Sequence, residues 1–213
     1  MNERKIDAVL LASGGLDSTT LAYWLQNKEI LFVPLFIDYG QHCAKTEYET
    51  LKQVMPSYYV DSIHTIDISR VYSGSPSKLI DEPNLWIDNM EGDRLYLPYR
   101  NLLMLSVGAA FAQSHGYNRL FAGFINSNHA KEIDCSSRFF IELGEMLSEY
   151  GSVRIEMPFR EMSKFDVARL GMDLKVPLGT TFSCQAASMV PCGACPNCVD
   201  RLEAFKQLER FSE

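Results

Sequence analysis

Residues 6–25 constrain the fold more than any other stretch. Ile6-Asp7-Ala8-Val9-Leu10-Leu11-Ala12 is short and almost wholly apolar, the pattern of a strand buried in a parallel sheet. It runs directly into Ser13-Gly14-Gly15-Leu16-Asp17-Ser18. From Ser18 to Leu25 a helical pattern opens, with Leu21 and Leu25 one turn apart. Two glycines let the backbone turn tightly and come close to a ligand. The free N–H groups at the helix start face an anion there, and the helix dipole favours it. The segment therefore reads as a phosphate cradle at the end of a first strand. It is not a Walker A loop, because the G-x-x-x-x-G-K-[ST] spacing and its lysine are absent. An ordinary glycine-rich turn is the competing reading; the position between strand and helix is the one a nucleotide site requires.

The rest of the chain repeats the strand-then-helix alternation. Ile30–Ile37 is a second apolar strand, ending in Asp38-Tyr39-Gly40-Gln41-His42. Ligands of open parallel sheets bind beyond such strand ends, although Asp38 as a plain helix cap competes with that reading. A helix is expected from Ala44 to Val54 and a third strand from Ile63 to Ile68. Residues 71–97 are rich in Ser, Asp, Asn, Gly and Pro. A connection this long is usually functional or disordered, and it is read as a mobile lid. Pro98-Tyr99-Arg100-Asn101 leads a helix from Leu102 to Phe111 that is apolar or small almost all round. A cation at a helix start opposes the dipole, so Arg100 answers either to a phosphate or carboxylate or only to solvent.

Arg119–Phe124 is a fourth strand, followed by a polar loop, Ile125–Cys135. Ser137–Tyr150 is amphipathic, with Phe140, Leu143 and Leu147 on one face. Val153–Pro158 is a fifth strand. Ser163 to Asp166 caps a helix that runs to about Leu174. Five strands alternating with helices give an α/β fold with a doubly wound, five-stranded parallel sheet over residues 1–180. Residues 181–213 form a second unit, with a terminal helix from Asp200 to Phe211.

That unit holds four of the six cysteines, Cys184-x7-Cys192-x2-Cys195-x2-Cys198. In a reducing compartment such a cluster binds metal rather than forming disulfides. Four thiolates close a tetrahedron, so Zn²⁺ in a structural role leads. An iron–sulfur cluster also uses four cysteines, and a redox C-x-x-C would leave two unexplained. Isolated Cys43 and Cys135 are expected to behave as small hydrophobes. The 213 residues suit one α/β domain with a small appendage. No run of eighteen apolar residues occurs, and the charged N-terminus enters the first strand with no signal peptide. The expectation is a cytoplasmic protein with no membrane partner. A net charge of −7 argues against a nucleic-acid partner.

The two motifs together resemble the 7-cyano-7-deazaguanine synthases, pyrophosphate-loop enzymes with a C-terminal four-cysteine zinc site. The resemblance covers nearly the whole chain. It rests on Ser13–Ser18, Asp38-Tyr39-Gly40-Gln41, Pro98-x-Arg100-Asn101, Gly123, Asp134-Cys135 and the four spaced cysteines. It implies an adenine-nucleotide alpha-hydrolase-like fold and ATP-dependent, AMP- and pyrophosphate-producing C–N bond formation. The family reaction converts 7-carboxy-7-deazaguanine and ammonia to the nitrile through an acyl-adenylate. By resemblance, Ala12, Ser13, Gly14, Gly15, Leu16, Asp17, Ser18 and Thr19 hold ATP, with Asp38, Tyr39, Gly40 and Gln41 near the nucleotide. Asp17 would ligate Mg²⁺, Arg100 would contact phosphate or the substrate carboxylate, and Asp134 would lie near the deazapurine. A homodimer is expected by resemblance alone. The chain departs from the family pattern at His129-Ala130-Lys131-Glu132-Ile133 and Ser136-Ser137, where an aromatic-, Gly- and Pro-containing turn and a following Arg are usual. Tyr99 stands where a small residue is common. Both changes fall in the expected substrate pocket. A relative that passes the activated acid to another amine, for example on a protein, would look the same. A tRNA-modifying sulfur transferase on the same scaffold would need a basic surface or an added RNA-binding domain, and neither is visible, whereas a non-enzymatic zinc module would not need the intact loop.

Overall fold

The computed structural model describes residues 6–88, 92–125 and 135–212. Five strands occupy Ala8–Leu11 (β1), Phe32–Asp38 (β2), His64–Asp67 (β3), Arg119–Phe121 (β4) and Arg154–Glu156 (β5). They form one sheet in the order β3-β2-β1-β4-β5, with every neighbouring pair parallel. The doubly wound, five-stranded α/β reading is therefore what the chain adopts. Six helices cover Leu16–Asn27 (α1), Ala44–Val54 (α2), Arg100–Ser114 (α3), Ser137–Tyr150 (α4), Lys164–Asp173 (α5) and Pro196–Ser212 (α6).

Alternation along the strands assigns each helix a face. Ala8, Leu10, Phe32, Phe36 and Phe121 point to one side, where Leu21 and Leu25 of α1, Leu51 of α2, Val167 of α5 and Ala204 and Leu208 of α6 complete a core. Val9, Leu35, Ile37 and Leu120 point to the other, against Leu105, Ala109 and Ala112 of α3 and Phe140 and Leu143 of α4. Both faces of the central strands are covered, which is why their sequences read as unbroken apolar runs. The edge strands are different. β3 is largely exposed, and β5 is tied to β4 by a two-pronged ion pair from Arg119 to Glu156 at 2.7 and 3.0 Å.

The strand order reverses at β1. The chain steps outward through β2 and β3, then crosses by α3 to β4 on the opposite side of β1. The carboxyl ends of β1 and β4 thus splay connections in opposite directions and open a crevice between them. Within 71–97, Leu79, Leu95 and Leu97 are buried against Tyr39, just past the end of β2. The backbone N–H of His42 donates to Leu79 O at 3.0 Å. The terminal helix begins at Pro196 and not at Asp200, so Cys198 lies inside it. Proline suits a first helical turn, where its missing N–H costs nothing.

Candidate active site and metal centre

The crevice at the ends of β1 and β4 has a volume of about 250 Å³. Its floor is the segment between β1 and α1. Gly14 adopts φ +74°, a left-handed conformation open to glycine. A Cβ there would sit 2.7 Å from Leu51 N and 2.8 Å from Glu47 O, so α2 packs directly on the loop. Gly123, just past β4, also packs closely on the loop: a Cβ would meet Ser18 N at 3.1 Å. The loop is braced internally. Ser18 Oγ accepts the Ser13 N–H at 3.3 Å and donates to Gly15 O at 3.3 Å. No side chain caps the start of α1, which leaves its first N–H groups to face the crevice.

Asp17 lies in the first turn of α1. Its Oδ2 accepts a hydrogen bond from Lys164 Nζ at 2.6 Å, while Oδ1 is buried with no hydrogen-bond partner among the described residues. A sealed carboxylate oxygen without a donor is costly, and it fits a site built to meet a cation. Lys164 opens α5, which Ser163 and Asp166 start with a reciprocal capping box. The cap was legible in the sequence, but the reach of Lys164 across to Asp17 was not.

On the opposite wall the chain after β2 carries a hydrogen-bonded relay. Gln41 is buried. Its Oε1 accepts the Tyr39 N–H at 2.9 Å, and its Nε2 donates to Glu47 Oε2 at 2.8 Å. Asp38 Oδ1 accepts the Gly40 N–H at 2.9 Å, holding the turn. Burial pushes the Tyr39 hydroxyl above its ordinary range, opposed by the Arg100 guanidinium, which also hydrogen-bonds it. Burial pushes the Glu47 carboxyl up to about 7, against hydrogen bonds from Gln41 and Cys43 and the charge of Arg100. Arg100 enters the site because Tyr99, at φ 58° and ψ 18°, turns the chain in a left-handed conformation immediately before α3. That geometry costs a non-glycine residue roughly 1–2 kcal/mol.

Of the residues expected at the nucleotide site, Ala12, Ser13, Gly15, Leu16, Asp17, Ser18, Tyr39, Gln41 and Arg100 line this one crevice. Gly14, Thr19, Asp38 and Gly40 lie in the same segments without lining it. Asp134 is outside the described residues. Asn101, part of the Pro98-x-Arg100-Asn101 motif, also lines the crevice, as do Glu47, Lys164, Ser183, Gln185 and Asn197, which reading the sequence did not single out. Asn101 is buried and its Nδ2 donates to Cys135 Sγ at 2.9 Å.

The cysteine cluster adjoins this crevice. The sulfurs of Cys184, Cys192, Cys195 and Cys198 all lie within 4.8 Å of one another, which suits four ligands around one small ion. Backbone N–H groups of Ala186 and Cys192 point at Cys184 Sγ at 3.4 Å, and that of Cys195 points at Cys192 Sγ at 3.2 Å. Such donors favour thiolates. Hydrogen bonding, first from Cys195, holds Cys184 down to about 4, whereas burial pushes Cys198 up to about 11. The four cysteines can thus hold a metal. Cys43 is buried in the same apolar cluster as Phe182, Cys184 and Cys195. The chain leading to the cluster is fastened to the loop between β1 and α1 by Phe182 N–H donating to Gly14 O at 3.0 Å. Arg201 of α6 braces it further through Thr181 Oγ1 and Leu178 O.

Among the described residues no helix is long and apolar enough to cross a membrane. Comparison with solved structures places the architecture. A U34-tRNA thiolase NcsA from Methanococcus maripaludis, solved with its 4Fe–4S cluster, superposes with a TM-score of 0.56 at 16% identity, over 98% of this chain and 68% of that one. A predicted subunit of a tRNA methyltransferase from Methanocaldococcus jannaschii gives 0.51 at 15% identity, over 79% and 75%. At these identities the likeness is one of fold. Sequence relatives are more specific. A 7-cyano-7-deazaguanine synthase from Picrophilus torridus is 33% identical, covering 97% of this chain and 90% of the relative. One from Methanospirillum hungatei is 30% identical, over 94% and 95%. The family model described as queuosine biosynthesis protein QueC matches residues 7–209, and with that match the chain belongs to the QueC family of biosynthetic enzymes.

Proposed function

We propose that this chain uses ATP to turn the carboxylate of 7-carboxy-7-deazaguanine into the nitrile of 7-cyano-7-deazaguanine, with ammonia as the nitrogen donor. The observation that carries this reading is the orphaned Oδ1 of Asp17 beside the glycine cradle, at the sheet's switch point, in a chain with full-length relatives of that name. A carboxylate is a poor electrophile. Attack of its oxygen on the α-phosphorus of ATP makes an acyl-adenylate and releases pyrophosphate. Ammonia then adds to the activated carbon; AMP leaves with the carboxylate oxygen, one proton leaves nitrogen, and an amide remains. A second adenylation, on the amide oxygen, lets that oxygen leave with AMP and the remaining two protons leave nitrogen.

Most of what this asks of the protein is positioning and charge neutralisation. The backbone N–H groups at the start of α1 receive the departing pyrophosphate. Lys164 and Arg100 flank it from two walls of the crevice. Asp17 would hold Mg²⁺, which when bound supplies charge compensation to the phosphates. Residues 71–97 would serve as a lid, keeping water from the acyl-adenylate. The four cysteines would hold Zn²⁺ as a closed structural site, with no open position for chemistry.

Pyrophosphate should be released only when ATP, Mg²⁺ and 7-carboxy-7-deazaguanine are all present. Absence of substrate-dependent pyrophosphate would overturn the reading. One sequence observation favours a second acceptor: residues 129–133 and Ser136-Ser137 depart from the family pattern just where the acceptor would sit. On that reading the same acyl-adenylate passes to another amine, for example on a protein. Mass spectrometry of the product with ammonia, against candidate protein amines, separates the two.

A further inference from the structure

Conversion of ammonia to a nitrile strips three protons from one nitrogen, so the site needs a base beside the activated carbon. We propose that Glu47 is that base: its carboxylate takes a proton from the entering nitrogen and passes it to solvent, once for each N–H lost. The assignment rests on the adenylation reading above.

Among the described residues, two carboxylates line the crevice, Asp17 and Glu47. Asp17 is committed, with Oδ2 on Lys164 and Oδ1, on the reading above, reserved for Mg²⁺. Arg100 and Lys164 are cations, and burial pushes the Tyr39 hydroxyl away from ionisation. His42 turns from the crevice, toward Ser188 Oγ and Gln185 O. Among the described residues lining the crevice Glu47 is the other carboxylate, accepting from Gln41 and hydrogen-bonded by the Cys43 thiol.

Its surroundings suit a group that must cycle between two protonation states. The Tyr39 backbone N–H, a fixed donor, occupies Gln41 Oε1. That forces Gln41 Nε2 toward Glu47, so Oε2 of Glu47 must be an acceptor. A carboxylate satisfies this, and so does a carboxylic acid through its carbonyl oxygen. Protonation at the other oxygen therefore leaves the Gln41 bond intact. The titratable and charged groups around Glu47 are Asp38 at the end of β2, Tyr39 and Cys43 from the chain after it, and Arg100 from α3. Their balance and the burial of the site leave the Glu47 carboxyl at about 7, where a base is half ready at working pH.

The test separates activation from nitrogen transfer. Substrate-dependent ATP–pyrophosphate exchange reads the first adenylation; ammonia-dependent formation of amide and nitrile reads proton removal. Glu47→Gln should lower nitrogen transfer by about 100-fold or more, the usual weight of a general base, while exchange falls by no more than about threefold. In the wild type, nitrogen transfer at constant free NH3 should rise through a limb near pH 7 that exchange lacks, and E47Q should lose that limb. Equal loss of both reactions in a folded E47Q would make Glu47 a nucleotide-positioning group and overturn the assignment. So would retention of both, or a wild-type profile without the limb. No exchange in the wild type would instead overturn the adenylation reading, and the role of Glu47 with it.

Discussion

At the residue scale, Asp17 and Glu47 are two carboxylates set in different surroundings by their neighbours. Asp17 lies in the first turn of α1, where the helix dipole favours its charge, and Lys164 pairs with it at 2.6 Å. Asp17→Asn keeps the shape and removes the charge. It should abolish pyrophosphate release, a loss of at least about 100-fold in kcat, while circular dichroism and the melting temperature stay near those of the wild type. Unfolding instead would assign Asp17 to the fold. Glu47 has a carboxyl raised from 4.5 to about 7 by burial. Between those two values the folded chain holds a proton that the unfolded chain has released. Its contribution to stability therefore falls as pH rises through that window. The amide in E47Q cannot titrate. The variant's melting temperature, relative to the wild type, should climb from about pH 5 to about pH 8; a flat difference would refute the raised value. Asp17 could be found from sequence because a local motif contains it. Glu47 could not, since one acidic residue in the first turn of a helix is ordinary, and its partners come from the chain after β2 and from α3.

At the scale of elements, the cysteine knuckle is as much a wall of the crevice as a separate unit. Phe182 and Ser183 precede its first ligand, Gln185 and Asn197 lie between ligands, and all four line the site. The Phe182–Gly14 backbone bond then joins the two motifs that stand far apart in sequence. Cys195→Ser, or removal of the metal by a chelator, should lower the melting temperature by several degrees, because a structural metal contributes folding free energy. The same treatment should weaken ATP binding, measured by calorimetric titration. A loaded and a stripped protein with equal melting temperatures would refute a structural metal. The long connection at 71–97 carries short turns of helix and three buried leucines where its composition suggested only loop. Spaced leucines among polar residues have no period to read, and their burial depends on Tyr39, supplied by another segment.

At the scale of the whole molecule, the boundary near residue 180 divides the sequence but not the core. Ala204 and Leu208 of α6 are buried in the same cluster as Phe121 of β4 and Val167 of α5. The metal-loaded protein is therefore expected to unfold in one cooperative transition, with calorimetric and van't Hoff enthalpies in agreement. Two resolved transitions would make residues 181–213 an independent unit. The same continuity explains why the crevice needs the complete sheet. Its walls come from the ends of β1, β2 and β4 and from the starts of α1, α3 and α5.

Local pattern was enough for the strands, the helices, the glycine turn after β1 and the four-cysteine cluster that could hold a metal. Buried parallel strands must be apolar on both faces, helices must carry an apolar stripe, and a phosphate turn or a chelate turn needs particular residues at short spacing. Those requirements act over a few residues and leave a mark in the sequence. Tertiary structure alone decided which side chains meet. Lys164 reaches Asp17 across 147 positions, Glu47 is raised by burial against the opposing pull of Gln41, Cys43 and Arg100, and Arg100 is turned into the crevice by a left-handed Tyr99. Electrostatic coupling and desolvation depend on distance in space, and the chain order that brings these groups together is set only when the sheet reverses at β1.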